Sequence, residues 1–137
     1  MKVLSLFDGI SCGMLALQRA GIPVECYDAF EIDKYAVTVS KRNFPVIVHH
    51  GNVYDGDFTK FQGYDLLLGG SPCTYWSIAK KDREVDCNGE GFRLFKEYVR
   101  ALEESGCKYF LYENNYSVHK RIKDKISKTL GVEPIMI

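Results

Sequence analysis

The segment Leu66–Cys73 reads Leu-Leu-Leu-Gly-Gly-Ser-Pro-Cys. Its apolar half is typical of a buried strand in a parallel sheet. The two glycines let the backbone turn away from the strand end at low steric cost, and Pro72 fixes the backbone immediately before Cys73. The segment therefore predicts a stiff loop that presents one thiol at the end of a sheet, where a nucleophile would lie. A small buried apolar residue is the alternative interpretation of a single cysteine.

The composition is typical of one soluble globular domain. The chain has 137 residues, of which 46% are hydrophobic and 26% charged, and this length supports a single hydrophobic core. The formal net charge is zero, so no global basic field would hold a nucleic acid. If the substrate is a polynucleotide, its contacts must be local or must come from another piece of protein.

The cysteines indicate a reducing compartment, and we expect a cytoplasmic protein. There are five of them, an odd number, and no two form a Cys-x-x-Cys pair, which disfavours a disulfide framework or a zinc site. His49 and His50 are adjacent, and neighbouring strand residues point to opposite faces, so no metal is expected there. The opening apolar run, residues 3–7, is too short to span a membrane, and no membrane partner is expected.

Apolar runs alternate with helical patterns along the whole chain. The predicted strands are Val3–Phe7, Val24–Phe30, Val46–Val48, Asp65–Leu68 and Tyr109–Tyr112, with a sixth beginning in Glu133–Ile137. The predicted helices are Met14–Ala20, Lys34–Asn43, Phe92–Glu104 and His119–Leu130. This alternation predicts an α/β fold, with a mostly parallel sheet and helices on both faces.

One polar or reactive residue follows each of the five predicted strands. These residues are Asp8, Glu31, Asn52, Cys73 and Glu113. Ligands bind at the carboxyl edge of open parallel sheets, so the pattern predicts a site there. Glu31 lies about 20 residues beyond a glycine loop, where nucleotide-binding units place a carboxylate for ribose hydroxyls. The alternatives are an ordinary turn for the loop and a helix-dipole partner for Glu31.

The connection Thr74–Glu90 is long, rich in mixed charges and without clear periodicity. Connections of this kind are usually functional or disordered. We therefore expect the segment to be mobile in the absence of a substrate.

Five motifs resemble those of the cytosine-C5 DNA methyltransferase family, and the match spans essentially the whole chain. The motifs are Phe7-Asp8-Gly9 with Gly13, Glu31, Gly51-Asn52-Val53, Gly69–Cys73 and Glu113-Asn114-Asn115. With Gly91–Phe95, their wording is closest to the de novo-type branch of that family.

The resemblance implies a Rossmann-like, S-adenosylmethionine-dependent methyltransferase that acts in DNA methylation or restriction–modification. Its implied reaction moves a methyl group to C5 of a cytosine that is flipped out of double-stranded DNA. Cys73 would form a covalent adduct with the base, and Glu113 would act as the acid. The implied cofactor-binding residues are Phe7, Asp8, Gly9, Cys12, Glu31, Ile32, Asn52, Val53 and Gly70.

The sequence departs from the family pattern at several points. Asn52 replaces an Asp, Thr74 a Gln or Asn, and Asn115 a Val, and the later Gln-x-Arg-x-Arg motif and target-recognition region are absent from these residues. Residues 1–137 are thus expected to be a catalytic domain that is incomplete at its C-terminal end. Two alternatives stay open: a catalytically deficient fragment or split subunit that needs a partner chain or self-association, and a tRNA cytosine-C5 methyltransferase. A redox role for Cys73 is disfavoured because no resolving cysteine is close in sequence.

Overall fold

Short apolar strands form the centre of the computed structural model, which describes residues 1–137. The strands are β1 (Lys2–Leu6), β2 (Cys26–Phe30), β3 (Val48–His49), β4 (Leu66–Gly69) and β5 (Tyr109–Tyr112). The helices are α1 (Cys12–Arg19), α2 (Lys34–Asn43), α3 (Glu90–Ser105) and α4 (Lys120–Leu130). Three single 3-10 turns cover Val53–Asp55, Phe58–Phe61 and Cys73–Tyr75.

The five strands form one sheet in the order β3-β2-β1-β4-β5, and every neighbouring pair is parallel. The predicted five-stranded parallel sheet is therefore confirmed. The chain runs outward from β1 to β3 on one side and resumes at β4 on the other side of β1. This reversal of direction creates a crevice at the carboxyl ends of β1 and β4, where doubly wound folds bind ligands.

The alternation of side chains along β1 explains why helices cover both faces of the sheet. Val3 packs in one core cluster with Met14 and Leu17 of α1. Its neighbour Leu4 points the other way, into a second cluster that contains Tyr98 of α3. Burial of each side chain of this size stabilises the folded state by roughly 1.5–3 kcal/mol. A shift of β1 by one residue would exchange its two faces, so this burial fixes the register of the central strand.

A third cluster joins α3, α4 and the segment after Cys73. Its buried members are Trp76, Phe92, Phe95, Val118 and Ile122. Trp76 is completely buried, although it lies within the long connection that carries no regular element beyond one 3-10 turn. The connection is thus fixed to the core near its start. The mobility of the connection stays a prediction, and it applies to the residues that follow Trp76.

The predicted sixth strand is wrong. Residues 132–137 form an exposed, irregular tail in which Ile135 and Met136 are 89% and 74% exposed. A strand is stabilised only by a neighbouring strand, and no strand pairs with the tail or with the outer edge of β5. Most of the other predicted boundaries differ from the observed ones by one or two residues. For example, α1 begins at Cys12, two residues before the predicted Met14. No helix has the length and apolar character needed to cross a membrane.

Candidate active site

The ends of β1, β2 and β3 open into one cleft of about 210 Å³, which we call the strand-end cleft. Five of the predicted cofactor-binding residues line it: Phe7, Glu31, Ile32, Asn52 and Val53. Pro72 and Thr74, which flank Cys73, line the same cleft. The structure therefore brings together the end of the Cys73 loop and residues that follow three different strands.

The loop between β1 and α1, Phe7–Ser11, has an unusual backbone. Phe7, Gly9 and Ser11 have φ values of +57°, +59° and +67°, and two of these residues carry side chains that disfavour the left-handed region. Such strain is commonly found at ligand sites, where the surrounding structure must hold it in place. We refer to this segment below as the β1 loop.

Glu31 joins the β1 loop to the end of β2. One carboxylate oxygen accepts the Gly9 backbone N–H at 2.8 Å. The other oxygen accepts the N–H groups of Ile32 and Asp33, each at 2.9 Å. A carboxylate has about four lone-pair positions, so about one position remains for a further donor such as a ribose hydroxyl.

Asp8 points into the protein rather than into the strand-end cleft. Its carboxylate accepts hydrogen bonds from the hydroxyl groups of Ser5 and Tyr27, each at 2.6 Å, and from the Ser11 hydroxyl. Burial and the adjacent Asp8 carboxylate raise the pKa of Tyr27 well above its ordinary value. The side chain of Asp8 is therefore occupied within the protein, and a direct contact with a cofactor would involve its backbone.

Three other predicted cofactor residues, Gly9, Cys12 and Gly70, do not line the cleft. Cys12 is exposed in the first turn of α1. Gly70 lies beneath the end of β5: a Cβ atom at Gly70 would come within 2.1 Å of the Glu113 carbonyl oxygen. Only glycine fits there, because a backbone carbonyl cannot move aside as a flexible side chain can.

Cys73 is exposed, which contradicts the alternative of a buried apolar filler. It begins the Cys73–Tyr75 turn, and its carbonyl oxygen accepts the N–H groups of Trp76 and Ser77 at 3.0 and 2.9 Å. The thiol is thus presented to solvent on a short, hydrogen-bonded turn that is anchored by the buried Trp76.

The end of β5 holds the preceding part of the Cys73 loop. Asn114 donates its side-chain N–H to the Ser71 carbonyl at 2.8 Å, and the hydroxyl groups of buried Ser71 and Tyr112 lie 2.6 Å apart. Glu113 itself is exposed, and its backbone N–H donates to the carbonyl oxygen of Gly69 at 2.9 Å. The predicted acid and the predicted nucleophile are therefore carried by segments that bond directly to each other.

Sequence analysis gave no role to Tyr112, Ser71, Tyr54 or Glu84. Tyr54 lines the cleft and donates its hydroxyl to Glu90 at 2.5 Å. Glu84 accepts the N–H groups of Glu90 and Gly91 at 2.9 and 3.0 Å, and so caps α3. The one available signal for Glu84 was an acidic residue six positions before a helix start.

A hydrogen bond from the backbone fixes the orientation of the Asn52 side-chain amide. Its Oδ1 accepts the Tyr54 backbone N–H at 3.0 Å, and only the oxygen of an amide can accept. The other terminal atom of the Asn52 side chain is therefore an N–H donor. An aspartate at this position would offer an acceptor in the same place.

A doubly wound sheet with an exposed Pro-Cys thiol and an acidic residue at its carboxyl edge is the arrangement of a Rossmann-like methyltransferase. The chain belongs to the C-5 cytosine-specific DNA methylase family, whose model matches residues 1–131.

Curated proteins with similar sequences are named as methyltransferases. The orphan methyltransferase M.SPRI of Bacillus phage SPR is 39% identical over 118 residues, which are 83% of this chain and 26% of that protein. The type II methyltransferase M.HgiCII of Herpetosiphon aurantiacus is 34% identical over 116 residues, covering 82% of this chain and 25% of that protein. The chain thus spans about a quarter of the length of the curated relatives that it matches.

Solved structures share the fold. A mutant of Spodoptera frugiperda DNMT2 gives a TM-score of 0.73 at 22% identity, covering 95% of this chain and 40% of that one. Dnmt2 methyltransferase of S. pombe gives 0.67 at 18% identity, covering 96% of this chain and 40% of that one.

Proposed function

We propose that residues 1–137 are the part of a DNA (cytosine-5-)-methyltransferase that binds S-adenosylmethionine and carries the nucleophile Cys73. The observation that carries this proposal is the exposed thiol of Cys73 on a turn whose neighbours line the strand-end cleft together with Glu31 and Asn52. Membership of the family supports this chemistry, and the polar and apolar groups that line the cleft are of the kind that it would need.

The strand order sets an order of groups along the sheet edge. Reading from β3 to β5, the strand ends carry Asn52, Glu31, the β1 loop, Cys73 and Glu113. A nucleoside whose ribose hydroxyls bond to Glu31 would place its base beside Asn52 and Val53. The rest of the cofactor would then extend over the β1 loop toward Cys73.

The lining of the cleft fits such a cofactor. Phe7, Phe30 and Leu94 offer apolar surface for a base and sugar, while Glu31 and Asn52 offer one acceptor and one donor. S-adenosylmethionine, when bound, supplies an electrophilic methyl group. We expect its affinity for this chain alone to be weak, because Asn52 lacks the charge of an aspartate and the family's last cofactor motif lies outside these residues.

Cys73 would act as the nucleophile. Its thiolate adds to C6 of cytosine and forms a carbon–sulfur bond, which makes C5 electron-rich enough to accept a methyl group. S-adenosylhomocysteine would be the product left after methyl transfer. The C5 proton would then be lost to solvent, its electron pair would re-form the C5–C6 double bond, and the carbon–sulfur bond would break to return the Cys73 thiolate. Glu113, as a proton donor or hydrogen-bond partner at N3, would offset the charge that develops on the ring. The base must leave the duplex to reach the thiol.

DNA is the substrate that the observations favour. The family description names a DNA methylase, whereas likeness to DNMT2 rests on the fold. The chain has zero net charge, and the recognition region of the family lies outside it, so we propose that strong DNA binding and full activity need a complementing C-terminal segment. A cytoplasmic location accords with five free cysteines.

The test is tritiated methyl transfer to cytosine-containing duplex DNA and to tRNA. It uses the chain alone and the chain with a C-terminal half supplied from a relative. We expect almost no transfer by the chain alone, transfer to DNA in the complemented sample, and none with Cys73→Ser. Cys87→Ser is the matched control, since Cys87 is another free cysteine outside the cleft.

Three outcomes would change the proposal. Transfer to tRNA alone would move the substrate to RNA. Transfer that survives Cys73→Ser would remove the covalent mechanism. Turnover by the chain alone that disappears in Cys73→Ser would show that these residues suffice as an enzyme.

A further inference from the structure

A series of hydrogen bonds connects the β1 loop, through α2, to the edge strand β3. The Ser11 hydroxyl donates to Asp8 and lies 2.5 Å from the Ser40 hydroxyl. The Ser40 hydroxyl in turn lies 3.2 Å from Nε2 of His49. Ser11 and Ser40 are completely buried. The four residues come from the β1 loop, α2 and β3, so no local interaction accounts for their meeting.

Ser11 is placed for this series of hydrogen bonds rather than for helix capping. It is the N-cap residue of α1, where a serine usually accepts a backbone N–H of the first turn. Here its side chain makes no such bond, and its φ is +67°. The hydroxyl instead points to Asp8 and Ser40, and the strained backbone at Ser11 is held by these two contacts.

The charge of Asp8 sets the direction of every hydrogen bond in this series. Because an ionised carboxylate can only accept, the Ser11 proton points to Asp8. Ser11 must then accept the Ser40 proton, and Ser40 must accept a proton from His49. Nε2 of His49 therefore carries the hydrogen, and in the neutral ring Nδ1 is bare.

Two observations at His49 agree with this assignment. Nδ1 is buried and has no hydrogen-bond partner, which is tolerated more easily for a bare acceptor than for an N–H group. Burial and the positive charge of Lys41 lower the pKa of His49, with His50 adding to this effect and Asp8 opposing it. The ring is accordingly neutral near pH 7.

We propose that Ser40 and His49 are positioning residues of the methyltransferase site, which act on the β1 loop through Ser11 and Asp8. Neither residue lines the strand-end cleft. The proposal rests on the proposed function, because it takes the β1 loop to be part of the cofactor site. Its hydrogen-bond directions, however, can be measured without any cofactor.

The substitution Asp8→Asn gives the clearest test of these hydrogen-bond directions. Asp8 Oδ1 accepts two donors, from Ser5 and Tyr27, whereas Oδ2 accepts only Ser11. An asparagine would keep its oxygen toward the two donors and turn its N–H group toward Ser11. Ser11 would then donate to Ser40, and Ser40 to Nε2 of His49, so that the hydrogen of the His49 ring moves to Nδ1.

Nitrogen-15 NMR of histidine side chains in the full chain tests these directions. We expect His49 to carry its hydrogen on Nε2 in the wild type and on Nδ1 in Asp8→Asn, with His49→Gln assigning the signals. Either an Nδ1 hydrogen in the wild type or an unchanged ring in a folded Asp8→Asn variant would overturn the proposal. If Asp8→Asn does not fold, the wild-type spectrum still decides the predicted direction.

Calorimetry with S-adenosylhomocysteine tests the positioning role. Ser40→Ala should weaken binding by about 3- to 10-fold, the effect of one buried hydrogen bond, because it removes the hydroxyl that bonds to Ser11. His50→Gln, which alters a histidine bonded to Asp28 instead, is the control. Equal affinity of the wild type and Ser40→Ala would overturn the positioning role. A wild type that binds no S-adenosylhomocysteine would instead contradict the proposed function and leave the NMR result standing.

Discussion

The side-chain amide of Asn114 donates a 2.8 Å hydrogen bond to the backbone carbonyl of Ser71. This bond fastens the end of β5, which carries Glu113, to the loop that carries Cys73. If the proposed function is right, Cys73 and Glu113 act on one cytosine ring, and this hydrogen bond would keep their two segments in register.

Asn114→Ala should slow methyl transfer in the complemented assay by about 100-fold, the effect of a misplacement of ~1 Å between reacting groups. The affinity for S-adenosylhomocysteine should stay unchanged, because Asn114 lies outside the strand-end cleft. Asn115→Ala is the matched control, since the Asn115 side chain contacts Ser117 instead. Equal rates in the two variants would remove the assigned role of Asn114.

Asn52→Asp should raise the affinity for S-adenosylhomocysteine by about 3- to 10-fold. Its second oxygen would accept the adenine amino group where Asn52 now presents an N–H donor. Calorimetry with S-inosylhomocysteine, which has a carbonyl in place of the amino group, should show no such gain. Asn88→Asp, in the exposed connection, controls for the added negative charge, and a gain for both ligands would indicate a general electrostatic effect.

Trp76→Ala should lower the free energy of unfolding by about 3–5 kcal/mol, the usual cost of removing a large buried aromatic side chain. Trp76 is completely buried and is the only tryptophan, so a blue-shifted fluorescence spectrum that shifts to the red on unfolding reports its burial directly. A spectrum typical of water-exposed indole in the folded protein would contradict the anchoring role.

Hydrogen exchange should divide the connection after Cys73 into two parts. The N–H groups of Trp76, Ser77 and Glu84 bond to backbone carbonyls and should exchange slowly. The N–H groups of residues 81–83 have no such bonds and should exchange fast. Uniform protection from 76 to 90 would contradict the expected mobility.

Ionisation of Tyr54 at high pH should lower the stability of the protein. Partial desolvation and the hydrogen bond to Glu90 raise the pKa of Tyr54 from 10.0 to about 12, although the residue is 45% exposed, so the folded state favours the neutral phenol. The resulting stabilisation is complete below pH 10 and is lost as the pH rises through about 12. The difference in ultraviolet absorbance between the wild type and Tyr54→Phe, followed during alkaline titration, measures this pKa. A midpoint near 10 would contradict the bond to Glu90.

The sheet could be predicted because its signals are local. Apolar runs such as Leu66–Leu68, and turn residues such as Gly69 and Gly70, predict the strands and their ends without reference to the rest of the chain. The alternation with helices then predicts a parallel sheet, so that the residues following the strands must share one edge. That reasoning correctly places Glu31 and Asn52 beside the same cleft.

The direction of individual side chains could not be predicted in this way. Asp8 follows a strand like Glu31 does, yet it turns inward because Ser5, Ser11 and Tyr27 provide three hydroxyl donors. Ser5 and Ser11 are each three residues from Asp8, but Tyr27 comes from β2, and the sequence does not show which way the Asp8 side chain turns. The tail after α4 has the composition of a strand, but strand formation depends on a neighbour that composition does not reveal.

The hydrogen bonds of Glu31 affect how mutations there can be interpreted. Its carboxylate supports the bend after β2 and also holds Gly9 of the β1 loop. Glu31→Ala would therefore remove three backbone partners along with any contact to a ligand, and Glu31→Gln would set an N–H group against at least one backbone N–H. A loss of binding in either variant would not measure a ribose contact. That contact is better measured from the ligand side, by comparing cofactor analogues that lack one ribose hydroxyl on the unaltered protein.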